Sequence, residues 1–460
     1  MITALAVSHK RVLKNCDVKQ AFVQSSLPEE ETYFVRPPSG CPVSKPGTSW
    51  RLLRSLYGLR RAPKLWYEKL SGHLRSMGLH SSPNSPCLFV GTIIPGHPPI
   101  YVGIYVDDII YFSTDDAVEK HFETLLSSLG NVDFMGQISH FLGIEFTWKV
   151  HSDGHLSVSL TQQSFIDTLL DTLGINIVGV STYTSPYQAN CHINSIPIQE
   201  MSSSDRDHLR LRYQSLVGSL NWLAHTTLPD ISTAVSLLAQ HQSTPSQGHL
   251  DSALYVARYL ATTRTLGILF SSTRSTLLES FLHFPLPNSL LAMSDANWGP
   301  QDASLTKTTQ QLPLFTSRSM SAYYVDLFGP LHWLSKRQTV TAGSSAEAEI
   351  YATDECLKFL LELHQLLDFL GVKDKFMPST NIIYNDNNAC INWSNKCTTK
   401  GLRHIQMREN RVRENVTRNF VKIKHVMGKL NLADLFTKEM KDTGHFVALR
   451  NIMMSPRLST

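Results

Sequence analysis

Two adjacent carboxylates, Asp107 and Asp108, sit in the run Tyr105-Val106-Asp107-Asp108, with apolar stretches on both sides. A carboxylate in such surroundings stays ionised only beside a cation or hydrogen-bond donors, and oxygen donors of this kind suit a divalent metal ion. Taken alone, the pair also fits an ordinary hairpin turn, because turns favour Asp. A third acid favours chemistry over the turn: Asp17 ends an apolar approach in Asp17-Val18-Lys19-Gln20-Ala21-Phe22. Two Mg²⁺ ions roughly 3.5–4 Å apart between such carboxylates activate an attacking hydroxyl and stabilise a leaving pyrophosphate. No cluster of Cys and His competes for the metal.

A second constellation lies in the last third of the chain. Asp295 follows Leu290-Leu291-Ala292-Met293, Glu349 opens a helical run after Ser344-Ser345-Ala346, Asp386 ends Ile382-Ile383-Tyr384-Asn385, and Asp434 stands in Asn431-Leu432-Ala433-Asp434. Each acid by itself reads as a solvated surface group or a helix cap. Together, at the ends of two apolar strands and near two helix starts, they are placed to converge on one site.

The elements that must position these groups can be read from periodicity. Tyr101 to Phe112 predicts a β-hairpin with the two acids at its turn, since β-branched and aromatic residues flank them on both sides. His249 to Leu260 carries Leu250, Leu254, Ala257 and either Tyr259 or Leu260 at helical spacing and predicts an amphipathic helix. The polar segments Thr182 to Ser204 and Ser271 to Asn288 read as joints between domains.

The words around the first set of acids carry a resemblance. Asp17 to Phe22, the run Leu56-Tyr57-Gly58-Leu59-Arg60-Arg61-Ala62-Pro63-Lys64-Leu65-Trp66, Tyr105 to Asp108, and Phe141-Leu142-Gly143-Ile144-Glu145 resemble, in order and spacing, the reverse transcriptase of copia-type LTR retrotransposons. Ser294-Asp295-Ala296-Asn297-Trp298, Ser344 to Glu349, Asp386-Asn387-Asn388-Ala389 and Ala433-Asp434-Leu435-Phe436-Thr437-Lys438 are similar to the ribonuclease H domain of the same elements.

The resemblance implies an α+β protein. Its parts would be a right-hand polymerase palm with an antiparallel sheet and truncated fingers (1–146), a thumb and connection (147–285), a ribonuclease H-like α/β domain (286–445) and a tail (446–460). It implies an RNA-directed DNA polymerase with ribonuclease H activity on RNA–DNA hybrids, working by two-metal phosphoryl transfer. Asp17, Asp107 and Asp108 would hold one pair of Mg²⁺ ions, or Mn²⁺ in their place. Asp295, Glu349, Asp386 and Asp434 would hold another. Glu349 is preferred over Glu347 because Glu349-Ile350-Tyr351-Ala352 matches the helix pattern of the family, which leaves Glu347 as an exposed first-turn acid.

Further roles follow by the same route. Phe22 would lie under the incoming sugar and exclude a 2′-hydroxyl, although it also reads as a core residue. Gly58 would lie against template and nucleotide, Arg61 would bind substrate, and Phe141, Leu142 and Gly143 would form the primer grip. Lys429 falls where cellular ribonucleases H place a mobile histidine, and lysine is a poor proton shuttle at neutral pH. The implied partners are an RNA template, a DNA primer, the RNA–DNA hybrid, dNTPs and other polyprotein products of the element. The family carries a fingers segment ahead of the Asp17 box, and in this sequence that box stands close to Met1. The resemblance therefore describes an N-terminally truncated polymerase, and the alternative is an inactive nucleic-acid-binding remnant.

Composition agrees with this reading. With 460 residues and 42% hydrophobic content the chain can bury two or three cores. Its net charge of +4 hides an uneven distribution: residues 1–75 hold 13 Lys/Arg against 5 acids, and residues 396–450 hold the same. Such basic flanks suit a nucleic-acid backbone. Arg51, Arg54, Arg60, Arg61 and Lys64 are expected template contacts; Arg403, His404, Arg408, Arg411 and Arg413 are expected hybrid contacts. Seven cysteines without framework spacing, no signal peptide and no transmembrane stretch point to an intracellular protein, cytoplasmic in a particle or nuclear, not secreted and not in a membrane.

Overall fold

The apolar run around the first acid pair folds into the expected hairpin: β4 (Ile100–Tyr105) and β5 (Asp108–Ser113) pair antiparallel, with Tyr105 opposite Asp108. The structure, a computed structural model, describes residues 1–41, 47–176, 183–189, 191–196, 202–285, 290–299, 318–377, 379–395 and 406–459. Arg403 and His404 lie outside the described residues, as does the side chain of Arg408. The chain is an α+β protein and divides into two compact units, residues 2–141 and 142–460.

In the first unit the hairpin belongs to an antiparallel sheet. Its other strands are β1 (Lys14–Val18), β2 (His80–Ser82), β3 (Ser85–Gly91) and β6 (Val132–Gln137), in the order β2-β3-β4-β5-β1-β6. Helices α1 (Ala62–Ser76) and α2 (Asp116–Ser127) pack on it. Pro63 in the first turn of α1 gives up an amide that has no helical partner there. Trp66, Leu70 and Leu74 recur every fourth residue and so share one face. Asp115 caps α2 by accepting from the Ala117 amide, and Val118, Phe122 and Leu126 form its inner face. These rows meet Cys16, Val18, Ile104, Ile109 and Tyr111 in one core. Each large side chain so buried contributes roughly 1.5–3 kcal/mol.

The second unit holds two sheets. One runs β15-β9-β8-β7 through β7 (Ile144–Val150), β8 (Leu156–Thr161), β9 (Leu266–Ser271) and β15 (Met454–Pro456), all antiparallel. The expected limit at residue 146 falls inside β7, whose ladder with β8 runs from Glu145 to Val150. The first unit closes at Phe141. Residues 446–460, expected as a tail, contain most of helix α7 (Thr443–Met453) together with β15. Helices α3 (Ser203–Thr226), α4 (Ser232–Ala239) and α5 (Gln247–Thr263) pack together through residues such as Tyr213, Leu220, Leu238, Val256 and Leu260.

The other sheet is mixed. Strands β10 (Leu290–Asn297), β11 (Met320–Leu327), β12 (Pro330–Arg337), β13 (Asn381–Asn385) and β14 (Val421–His425) lie in the order β12-β11-β10-β13-β14. The first three are antiparallel, while β10, β13 and β14 run parallel. Parallel strands need long crossovers, and α6 (Ser345–Phe369) lies in the chain between β12 and β13. It packs on β10 and β11 through a buried face that includes Ala348, Ala352, Cys356 and Leu360. Central position and cover explain why Leu290 to Asp295 is buried without alternation.

Candidate functional site

In the second unit, β10 delivers Asp295 near its end, the parallel partner β13 delivers Asp386 just past its end, and the first turns of α6 deliver Glu349. Helix α6 starts where it does because Ser344 accepts from the Glu347 amide. Glu347 itself accepts from the Gly343 amide at 2.7 Å and from the Tyr351 hydroxyl at 2.8 Å. Glu347 is thus half-buried in a capping arrangement, and Glu349 faces the sheet, 5% exposed. One carboxylate oxygen each from Asp295, Glu349 and Asp386 lies within 4.8 Å of the others. Among the described residues this is the one group of three or more candidate ligands that meets this spacing.

A frame of neutral hydrogen bonds holds the cluster. Asn385 donates through Nδ2 to Glu349 Oε2 at 2.9 Å and to Ser294 Oγ at 3.1 Å, and accepts from the Asn387 amide at 2.8 Å. Asn431 donates to the Ser294 carbonyl at 3.0 Å. Thr437 Oγ1 donates to Asp295 Oδ2 at 2.7 Å. Gly428 presses close from a loop: a Cβ there would stand 2.9 Å from Asp386 Oδ2.

Three carboxyl groups so confined repel one another. Burial first, then Asp434 and Asp386, push the Asp295 carboxyl up to about 7. Burial and the charge of Asp295 raise Glu349 well above its usual range, and burial with Asp434 raises Asp386. All the donors are hard oxygens, so the set fits a divalent cation of the Mg²⁺ or Mn²⁺ kind, whose charge would relieve this repulsion. Asp434 stands beside the trio, ion-paired with Lys438 four residues later. Lys429 is exposed on a short turn, Gly428–Leu430.

In the first unit the register of β1 on β5 sets Asp17 opposite Asp108. Val106, in the hairpin turn, has φ of +57°. A β-branched residue adopts that conformation only under constraint. Two bonds supply the constraint: Trp66 Nε1 of α1 donates to the Val106 carbonyl at 2.6 Å, and the Val18 amide donates to the Asp107 carbonyl at 3.0 Å. Asp17, Asp107 and Asp108 are all half-buried. Burial, followed by the charges of Asp107 and Asp17, raises the Asp108 carboxyl. Lys19 bridges Asp17 at 3.1 Å and Asp133 at 3.0 Å. The donors again suit a hard divalent ion, but their oxygens are more loosely gathered than those of the later cluster.

The remaining expected positions are placed as follows. Phe22 is half-buried, packs against the core and meets the Tyr57 ring edge-on at 4.9 Å between centroids. Gly58 has φ of +93° with open space at its Cβ position, so backbone conformation is what asks for glycine there. Arg61 is ion-paired with Glu31. Phe141, Leu142 and Gly143 form a turn with φ of +51° at Leu142 and +73° at Gly143. Glu145, next in that motif, is buried and accepts from the Ser164 amide at 2.8 Å and from Arg457 at 2.7 Å. Two of the expected hybrid contacts are engaged inside the unit: Arg411 Nε lies 3.1 Å from buried Asp354, and the Arg413 guanidinium stacks 3.8 Å above Trp393.

Sequence reasoning missed Asn385, Asn431, Thr437 and Lys438 around the second cluster, and Trp66 and Lys19 around the first. Only Lys438 left a usable signal, its four-residue spacing from Asp434.

An antiparallel sheet with paired acids on a strained hairpin, and a mixed sheet that gathers three carboxylates, fit a nucleic-acid polymerase with a second acidic centre. A sequence profile described as reverse transcriptase (RNA-dependent DNA polymerase) matches residues 1–189. The protein of transposon Ty5-1 from Saccharomyces cerevisiae is 31% identical over 258 residues, which are 56% of this chain and 78% of that protein. The Pol polyprotein of transposon RE2 from Arabidopsis thaliana is 30% identical over 442 residues, covering 96% of this chain and 27% of the polyprotein. The chain belongs to the reverse transcriptase family of copia-type retrotransposon polyproteins. It spans little more than a quarter of the length of the plant polyproteins it matches. Among solved structures, a foamy viral protease-reverse transcriptase in complex with RNA/DNA hybrid aligns over 94% of this chain and 68% of its own, at 11% identity and a TM-score of 0.29, too loosely to inform fold or function. No helix among the described residues is long and apolar enough to cross a membrane.

Proposed function

We propose that this chain is an RNA-directed DNA polymerase joined to a ribonuclease H that cuts the RNA strand of RNA–DNA hybrids. The first unit would be the palm, and the mixed sheet of the second unit would be the nuclease domain. RNA template, DNA primer, dNTPs and the hybrid are the substrates on this reading, and the other products of the polyprotein are further partners. The observation that carries it is the register that sets Asp17 opposite Asp108 beside a hairpin held in a strained turn. An acid pair presented on a fixed turn is already oriented, so little reorganisation is needed when charge develops during phosphoryl transfer.

Asp17, Asp107 and Asp108 would hold divalent ions in the palm; Asp295, Glu349, Asp386 and Asp434 would hold them in the nuclease centre. When bound, such ions activate the attacking oxygen and stabilise the leaving one. The residues around them do the rest. Trp66 fixes the turn carbonyl, Phe22 presents a ring braced by Tyr57 to exclude a 2′-hydroxyl, and the Phe141–Gly143 turn would guide the primer end. In the nuclease centre Asn385 orients Glu349, and Thr437 orients Asp295.

The test is Mg²⁺-dependent extension of a DNA primer on RNA, run beside Asp107→Asn. Extension by the unaltered chain with loss in the variant supports the polymerase. Equal background in both refutes it. Cleavage of a labelled hybrid, compared with Asp295→Asn, tests the nuclease in the same way.

A further inference from the structure

The resting nuclease cluster is not symmetrical. Three of its acids converge within 4.8 Å, enough for one cation, while the fourth, Asp434, is already closed by an ammonium group. Lys438 lies four residues beyond Asp434, after the short helical turn Leu432–Phe436, and ion-pairs with Asp434 Oδ1. It also feels the charges of Asp295 and Asp386. Between the two, Thr437 clips the segment to Asp295 at 2.7 Å, and its hydroxyl also reaches the Asp434 carbonyl at 3.1 Å, which keeps the turn from drifting. The ammonium therefore occupies the one acid that the trio leaves out, within reach of the charges of Asp295 and Asp386.

We propose that Lys438 is an internal, displaceable cation that fills the second-ion position of the resting site. The inference rests on reading this cluster as a metal-dependent nuclease centre, and deepens that reading. Lysine suits the role better than arginine would, because a compact ammonium on a flexible stem can leave one oxygen for another. A backbone phosphate of the hybrid supplies such an oxygen, so arrival of substrate frees Asp434 for metal. The first ion would then bind in the absence of nucleic acid, and the second only after Lys438 has moved. Lys438 acts through Asp434 and is a positioning residue.

The test counts ions. In the full chain carrying Asp107→Asn and Asp108→Asn, so that the palm acids contribute little, Mn²⁺ is titrated without nucleic acid, and bound ion is read by electron paramagnetic resonance and calorimetry. One ion per chain is expected, none in a further Asp295→Asn variant, two with Lys438→Gln and one with Lys438→Arg, which keeps the charge. Two ions with lysine in place, or one with Lys438→Gln in a protein whose thermal midpoint is unchanged, overturn the proposal while leaving a metal centre intact. No ion with all four acids present overturns the metal reading of the cluster, and the proposal with it.

Discussion

The two acidic centres are built in opposite ways. The hairpin centre uses neighbours: Asp107 and Asp108 are adjacent in sequence, and Asp17 reaches them through a single step of strand pairing. Its cost is backbone strain at Val106, and its acids stay half in solvent with Lys19 beside Asp17. The later centre gathers Asp295, Glu349 and Asp386 from two parallel strands and a helix, and its cost is desolvation and mutual repulsion. A site made by local geometry stays open to water, whereas one made by long-range packing confines like charges, whose repulsion a cation would relieve.

The largest expected effect separates the two. Asp107→Asn lowers primer extension by at least about 100-fold and leaves hybrid cleavage within about twofold, and Asp295→Asn does the reverse. Loss of both activities in either variant, with the fold retained, would break the picture of two independent centres.

The next effect concerns pH. The Asp295 carboxyl is pushed up to about 7 when folded, against an ordinary 3.8, so the folded chain binds more protons than the unfolded one between those values. The contribution of this carboxyl to stability without metal is therefore full below about pH 4 and is lost as pH rises toward about 7, by on the order of a few kcal/mol. Thermal melting in a chelator across that range should show the decline. Mg²⁺ or Asp295→Asn should flatten it, and Asp108→Asn should alter it far less, because solvent screens that half-buried group. A pH profile of melting in chelator that is the same for the unaltered chain and for Asp295→Asn would contradict the repulsion argument.

Gly428→Ala comes third. Its added methyl meets Asp386 Oδ2 at 2.9 Å. Hybrid cleavage is expected to drop roughly tenfold through displacement of that ligand, with extension unchanged. Trp66→Phe is the mildest. It keeps a buried ring but removes the bond to the Val106 carbonyl. The expected cost is about 1 kcal/mol in stability and a several-fold loss of extension alone. Equal effects on both activities would mean that Trp66 serves the fold and not the turn.

Much of this is legible in the sequence. The hairpin could be read because β-branched and aromatic residues bracket two acids, and the helix over Gln247–Thr263 because Leu250, Ala257 and Leu260 repeat at its period. The neutral frame around the later cluster could not be read. Asn385, Asn431 and Thr437 are ordinary polar residues whose partners lie from 36 to 142 positions away. Arg411 and Arg413 looked like free cations because basic composition says nothing of where a guanidinium points; one neutralises Asp354 and the other covers Trp393.

Sequence alone determined the identity and order of the acids, the hairpin that carries Asp107 and Asp108, and the family, since those depend on local pattern. Which acids converge depended on the tertiary structure, because electrostatic coupling follows distance through space. The parallel pairing of β10 with β13 and the packing of α6 against them bring Asp295, Glu349 and Asp386 together, and they leave Asp434 to Lys438.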